Sequence, residues 1–257
     1  MLVRELHSEA QFDAIEAGPE RDLVVVFIHG ALDRSAGMAR LAREASTAAR
    51  TVRYDRRGYG DRWEHPGPFD VEGHVDDVQA IVADRECILI GHSYGGHVAL
   101  AAAARMSGQT RGVSTYESPL AWLDWWPRDT AGRQATSSEV DVAAERFMVA
   151  MIGVDAWNRL PERTREHRRR EGRALVAELS DLGRGTPWRP ENVSCRVLCG
   201  VRTNAPEHHA RASIWMRDSL PHADIAEFEG AGHGAHLTHA GMFHQLLVAP
   251  HLREAER

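Results

Sequence analysis

The chain has 257 residues, a net charge of −6, 43% hydrophobic and 26% charged residues. That length holds one large core with an insertion more readily than two full domains. The negative balance disfavours a nucleic-acid polyanion as partner. All 31 basic residues are Arg and none is Lys, which excludes Schiff-base, pyridoxal-phosphate and Walker-type chemistry built on a lysine amine.

Cys87, Cys195 and Cys199 lie in or beside apolar runs and give no disulfide framework. The opening MLVRELHSEAQ lacks the apolar centre of a signal peptide, and no run approaches the ~20 apolar residues of a membrane span. These features predict a soluble, cytoplasmic protein with a small-molecule partner rather than nucleic acid or membrane. Oligomeric state is not legible.

Short apolar runs alternate with helical patterns along the chain. Strands are expected at Leu23–Ile28, Thr51–Tyr54, Cys87–Ile90, Gly112–Tyr116, Arg196–Cys199 and Asp224–Phe228. The continuous LVVVFI and CILI runs suit strands buried on both faces. Helices are expected at Ala36–Ala49, Val71–Ala83, Gly95–Arg105, Ala210–Leu220 and Ala240–Leu247. This rhythm implies an α/β fold, a mostly parallel sheet with helices on both faces. It breaks once, between Ser118 and about Ser194. There an aromatic stretch, PLAWLDWWP, precedes helices expected at Glu139–Ile152 and about Pro161–Leu182. The division expected is a core of residues 1–117 and 195–257, with a helical cap of 118–194 inserted before the strand at 196–199.

Three motifs carry chemistry. Gly91-His92-Ser93-Tyr94-Gly95 is G-x-S-x-G between a strand and a helix, a context that lifts the serine hydroxyl above the sheet beside a helix N-terminus. Ser93 is the expected nucleophile. His29-Gly30-Ala31-Leu32 ends the strongest strand. An oxyanion needs two backbone donors, expected from Tyr94 and Ala31, with Leu32 the next choice. His29 itself reads as a structural loop residue. Gly230-Ala231-Gly232-His233-Gly234 follows the last strand, and His233 is the expected general base. His236 and His239 follow, but no carboxylate or Cys nearby in sequence completes a metal site. No metal and no cofactor are expected.

This order of motifs resembles the α/β-hydrolase superfamily over nearly the whole chain. Asp55-Arg56-Arg57-Gly58-Tyr59-Gly60 resembles the family's loop after an early strand, where Asp55 and Arg56 shape a turn. The sequence departs from the family at the acid. The loop after the strand that follows the cap reads Cys199-Gly200-Val201-Arg202-Thr203-Asn204, so Thr203 or Asn204 fills the usual Asp position, and neither carries charge. Another strand end supplies a carboxylate, Glu117. Haloalkane dehalogenases resemble this in placing their acid there. Glu117 is therefore the expected third member of the triad, the competing readings being a cap-hinge Glu bonded to backbone and a catalytic dyad. A serine at the elbow makes acyl-enzymes, so dehalogenation and epoxide opening are set aside.

Trp122, Trp125 and Trp126, with Phe147, Met148 and Met151, either pack the cap onto the body or line an acyl pocket, to which Leu32 also belongs. Arg163, Arg165, Arg168, Arg169, Arg170 and Arg173 read as a solvated, Glu-paired helix face, with phosphate binding as the alternative. The resulting expectation is a serine hydrolase acting on a small-to-medium, largely apolar carboxylic ester. Thioester, lactone or C–C bond hydrolysis, and a non-catalytic ligand-binding role, are the alternatives.

Overall fold

The computed structural model describes residues 4–7, 13–136 and 139–255; residues 1–3 and 8–12 of the opening segment lie outside them. Eight strands form one sheet: β1 (Arg4–His7), β2 (Asp13–Ala17), β3 (Leu23–Ile28), β4 (Arg50–Tyr54), β5 (Glu86–His92), β6 (Thr110–Tyr116), β7 (Arg196–Arg202) and β8 (Ala223–Phe228). Their order is β1-β2-β4-β3-β5-β6-β7-β8. β2 runs antiparallel to both β1 and β4, and every pairing from β4 to β8 is parallel.

The six expected strands are β3 to β8. The antiparallel pair β1–β2 was not expected, and β2 has a physical reason: its inward residues are Ala14 and Glu16, so it presents no apolar run. Glu16 is carried there by an ion pair with Arg50 of β4. β3 is the opposite case. Val24 to Ile28 are completely buried, each worth about 1.5–3 kcal/mol when withdrawn from water.

Both sheet faces are covered. On one lie α2 (Val71–Val82), α3 (Tyr94–Arg105) and α9 (Glu207–Ser219). The Asp70 side chain caps α2, accepting from the Gly73 N–H at 2.8 Å, and Val71, Val75, Val78 and Val82 form its buried stripe. On the other face lie α1 (Ala39–Ala45), α11 (Ala240–Phe243) and α12 (Ala249–Ala255), with α10 (Ala235–Thr238) leading into them. The expected helix 36–49 is shorter, a 3₁₀ turn at Ser35–Met38 followed by α1. The expected helix 240–247 continues through a π turn at His244–Val248 into α12. Pro250 lies just beyond and has no N–H for an i→i−4 bond, which favours the irregular turn.

Between β6 and β7 lie five helices among the described residues: α4 (Ala131–Thr136), α5 (Val140–Ile152), α6 (Val154–Arg159), α7 (Glu162–Arg170) and α8 (Gly172–Leu182). The single helix expected over 161–182 breaks at Glu171 into α7 and α8. Gly172 sits at the break, where a Cβ would collide with the Val140 carbonyl of α5. This excursion is tied to the body through His97 of α3. Its Nε2–H donates to the Pro119 carbonyl at 2.7 Å, and its Nδ1 accepts from the Trp188 indole at 3.2 Å. No helix among the described residues is long and apolar enough to cross a membrane.

Candidate active site

Ser93 stands between β5 and α3 with φ 52° and ψ −121°, a backbone state costly for any residue with a side chain. Neighbouring glycines make room for the turn. A Cβ on Gly91 would strike the Gly95 backbone, and a Cβ on Gly95 would strike the carbonyls of Ile28 and His29. Hydrogen bonds hold the turn in place: the Ser93 N–H donates to the Tyr116 carbonyl at 2.8 Å, and Ser118 Oγ donates to the Ser93 carbonyl at 2.8 Å.

Glu117 directly follows β6 and also has a left-handed backbone, φ 46°. Its N–H donates to the Gly200 carbonyl at 3.0 Å. The residue is 1% exposed, and its carboxylate meets the imidazole of His233, with Nδ1 2.7 Å from Oε2. The other oxygen, Oε1, accepts from the Arg202 N–H at 3.4 Å and faces the Arg202 guanidinium at 3.5 Å. Burial pushes the Glu117 carboxyl up, but the His233 hydrogen bond and charge, with His209 and Arg202, hold it below its ordinary value. Thr203 and Asn204, at the position where the family acid was expected, are exposed.

The loop carrying His233 is clamped twice from below. His92 Nε2–H donates to the His233 carbonyl at 2.9 Å, and the Tyr116 hydroxyl donates to the Gly232 carbonyl at 2.8 Å. Burial and the neighbouring His236 and His233 keep His92 well below the usual imidazole range, hence neutral. With Nδ1 of His233 turned to Glu117, Nε2 is left for a proton on a substrate or on Ser93.

Ser93, Tyr94, Ala31 and His233 line one cavity of about 320 Å³. Tyr94 opens α3, where peptide N–H groups have no partner within the helix. The remaining wall is mostly apolar and includes Trp126, Phe147, Met151, Leu179 and Leu182. Three of the seven residues expected to form the pocket therefore line it. The other four lie elsewhere. Trp122 packs edge-on to His97, Trp188 and Trp215. Trp125 lies against Trp126 and under the Arg211 guanidinium. Leu32 is 3% exposed and forms a separate cluster with Tyr59, Ala143 and Leu175, onto which Met148 also packs. Spacing alone did not distinguish helix faces that pack on neighbouring helices from the face that lines the cavity.

Two contributors were missed. His209 of α9 lines the cavity with its ring 5.6 Å from that of His233, and burial brings its pKa down to about 3. The His208–His209 pair beside the β7 loop was the available signal. Glu178 of α8 is wholly buried and pairs with Arg56. Its Oε1 lies 2.7 Å from His74 Nε2, and its Oε2 accepts from the Tyr59 hydroxyl at 2.7 Å. A carboxylate on the stripe Leu175–Glu178–Leu182 was its signal. Arg56 in turn donates to the His29 carbonyl at 2.9 Å and the Gly30 carbonyl at 3.1 Å. Burial would strip the Arg56 charge, yet Glu178 holds its pKa above the ordinary arginine value. Asp55 shapes the adjoining turn, accepting from the N–H groups of Ser35 and Asp61 at 2.6 and 3.0 Å.

Three arginines of α7 pair with carboxylates: Arg165 with Glu162, Arg168 with Glu171, and Arg169 with Glu145 and Glu162. Arg173 donates to the carbonyls of Trp63 and His65.

Two groups bring metal-ligand atoms within 4.8 Å of one another, Asp33–His92–His236 and Glu117–His209–His233. In the first, Asp33, distant in sequence, reaches His236 at 2.9 Å. In both groups these contacts already engage ligand atoms with protein partners.

A model of the alpha/beta hydrolase family matches residues 25–245. A thermophilic esterase from Thermogutta terrifontis with malate bound is similar over 95% of this chain and 96% of its own, at 18% identity and a TM-score of 0.67. MenH from S. aureus is similar over 98% and 100%, at 18% identity and a TM-score of 0.74. An esterase from Exiguobacterium antarcticum is similar over 95% and 97%, at 14% identity and a TM-score of 0.70. At these identities the likeness is one of fold. Comparison with curated protein sequences finds no significant match. By the extent of the family match, the chain belongs to the alpha/beta hydrolase family.

Proposed function

We propose that the protein is a serine hydrolase that cleaves a small-to-medium carboxylic ester with a largely apolar body, through an acyl-enzyme on Ser93. The observation that carries this reading is the 2.7 Å contact between His233 Nδ1 and Glu117 Oε2, with His233 and Ser93 on the wall of the same cavity.

In this mechanism Ser93 Oγ attacks the ester carbonyl while His233 Nε2 takes its proton. The carboxylate of Glu117 fixes the His233 tautomer and stabilises the imidazolium. The N–H groups of Tyr94 and Ala31 receive the oxyanion. Collapse breaks the carbonyl–alkoxy bond, and the imidazolium returns its proton to the leaving alcohol. Water, deprotonated by His233, then attacks the acyl-enzyme, releases the carboxylic acid and restores Ser93. Residues 118–194 act as the cap that walls the acyl chain. The three free cysteines support a reducing, cytoplasmic setting.

Intact-mass analysis after treatment with a fluorophosphonate tests this. A single adduct that disappears in Ser93→Ala is expected. A wild-type protein that stays unlabelled, yet binds ligands tightly without turnover, would replace the enzyme with a binding module.

A further inference from the structure

The cavity is lined by no Asp or Glu among the described residues, but by two arginines, Arg133 and Arg202. Arg202 faces Glu117 at 3.5 Å and its charge is answered there. His208 and His209 have pKa values lowered by burial, so they add no charge near neutrality. Arg133 remains. It stands on α4, where Nη2 donates to the Ala121 carbonyl at 2.5 Å and the buried Nε has no partner. No carboxylate lies within ion-pair distance of it among the described residues.

A guanidinium without a counter-ion on a cavity wall is open to an anion, and a carboxylate presented to it can accept two parallel N–H···O bonds. α4 is held firmly enough to aim the group: Ala135 is fully buried against the cap helices, and Gly132 lies against Leu179.

We infer that Arg133 is the specificity-determining contact of this cavity and that the substrate is a short monoester of a dicarboxylic acid. The free carboxylate sits on Arg133, the apolar chain lies along Phe147, Met151 and Leu179, and the ester carbonyl meets Ser93. This rests on the ester-hydrolase reading for turnover, whereas carboxylate binding at Arg133 does not.

The test pairs two measurements on wild type, Arg133→Gln and Arg133→Lys, with circular dichroism confirming the fold. The first is the ratio of kcat/KM for 4-nitrophenyl hydrogen glutarate to that for 4-nitrophenyl valerate. Wild type favours the anionic ester, and R133Q lowers the ratio by at least about tenfold, chiefly through KM, while R133K keeps part of it. The second is calorimetric titration with glutarate, whose affinity falls by a similar factor in R133Q. A wild-type preference for valerate, or a ratio unchanged in R133Q, overturns the inference. If neither ester turns over, the ester-hydrolase reading fails by itself. Glutarate binding then decides the Arg133 site: loss in R133Q upholds it, and equal or absent binding overturns it.

Discussion

The imidazole of His233 lies 2.7 Å from the carboxylate of Glu117, a residue 116 positions earlier in the chain that follows a different strand. Glu117→Gln keeps the shape but offers an amide that fixes neither the tautomer nor the imidazolium. We expect kcat to fall by about 10³- to 10⁴-fold, with Glu117→Asp intermediate because its shorter arm withdraws from the ring. Steady-state ester hydrolysis and the rate of fluorophosphonate labelling both read this. Full activity in Glu117→Gln would return Glu117 to the role of a cap-hinge residue.

The backbone of Ser93 at φ 52° suits glycine far better than serine. Ser93→Gly should therefore raise the melting temperature by relieving strain of about 1–3 kcal/mol, while abolishing labelling. Thermal denaturation of the two proteins side by side decides it, and an unchanged or lowered melting temperature counts against strain at the elbow.

Arg56 and Glu178 are both fully buried, and they join α8 to the loop that carries Ala31. Removing one partner leaves an uncompensated buried charge, so Glu178→Gln should cost about 3–5 kcal/mol of stability. The double variant Arg56→Met/Glu178→Leu should cost less than Glu178→Gln alone, because no charge is stranded. Urea denaturation measures both. Equal losses would mean that the network is held by its shape rather than its charge.

Burial holds His29, His74, His97 and His251 neutral, with pKa values lowered to about 4. In the unfolded chain each returns to about 6.5. Between these values the unfolded state binds more protons than the folded one, so stability rises with pH across that window. The contribution is complete above about pH 6.5 and erodes as pH falls towards 4. Glu117 and Glu178 have lowered pKa values and add a further loss below the ordinary carboxylate range. The free energy of unfolding, measured from pH 7.5 to 4, should decline from about 6.5 downward. A flat profile down to pH 4.5 would contradict the buried-neutral assignment.

Much of the fold is written in local pattern. The unbroken apolar runs of β3 and β5 identify central strands because a strand covered on both faces needs no polar alternation. The elbow is equally local: Gly91, Ser93 and Gly95 encode a turn that few other residue sets tolerate. β2 was invisible because its buried face holds Ala14 and Glu16, and the charge of Glu16 is answered by Arg50, distant in sequence.

Site membership followed the same division. Ser93 and His233 stand out in the sequence as candidates because each sits in a short glycine-framed loop at a strand end. Glu117 stands out less, as the carboxylate left at a strand end once Thr203 and Asn204 occupy the expected acid position, and its contact with His233 exists only in the fold. The partnerships of Glu178 with Arg56, of Asp33 with His236, and of His209 with the cavity were not legible. Each depends on which face of a helix or loop turns inward, and that is decided when whole layers pack. For the same reason Trp126 reaches the cavity while Trp122 and Trp125, a few residues before it, do not. Neighbours within a few residues set the strand–turn–helix framework and the glycine-framed loops that carry Ser93 and His233, so local sequence suffices for them. Which side chains of residues 118–194 share the cavity with Ser93, and which buried charges find partners, is set by long-range packing and desolvation and so only in the folded whole.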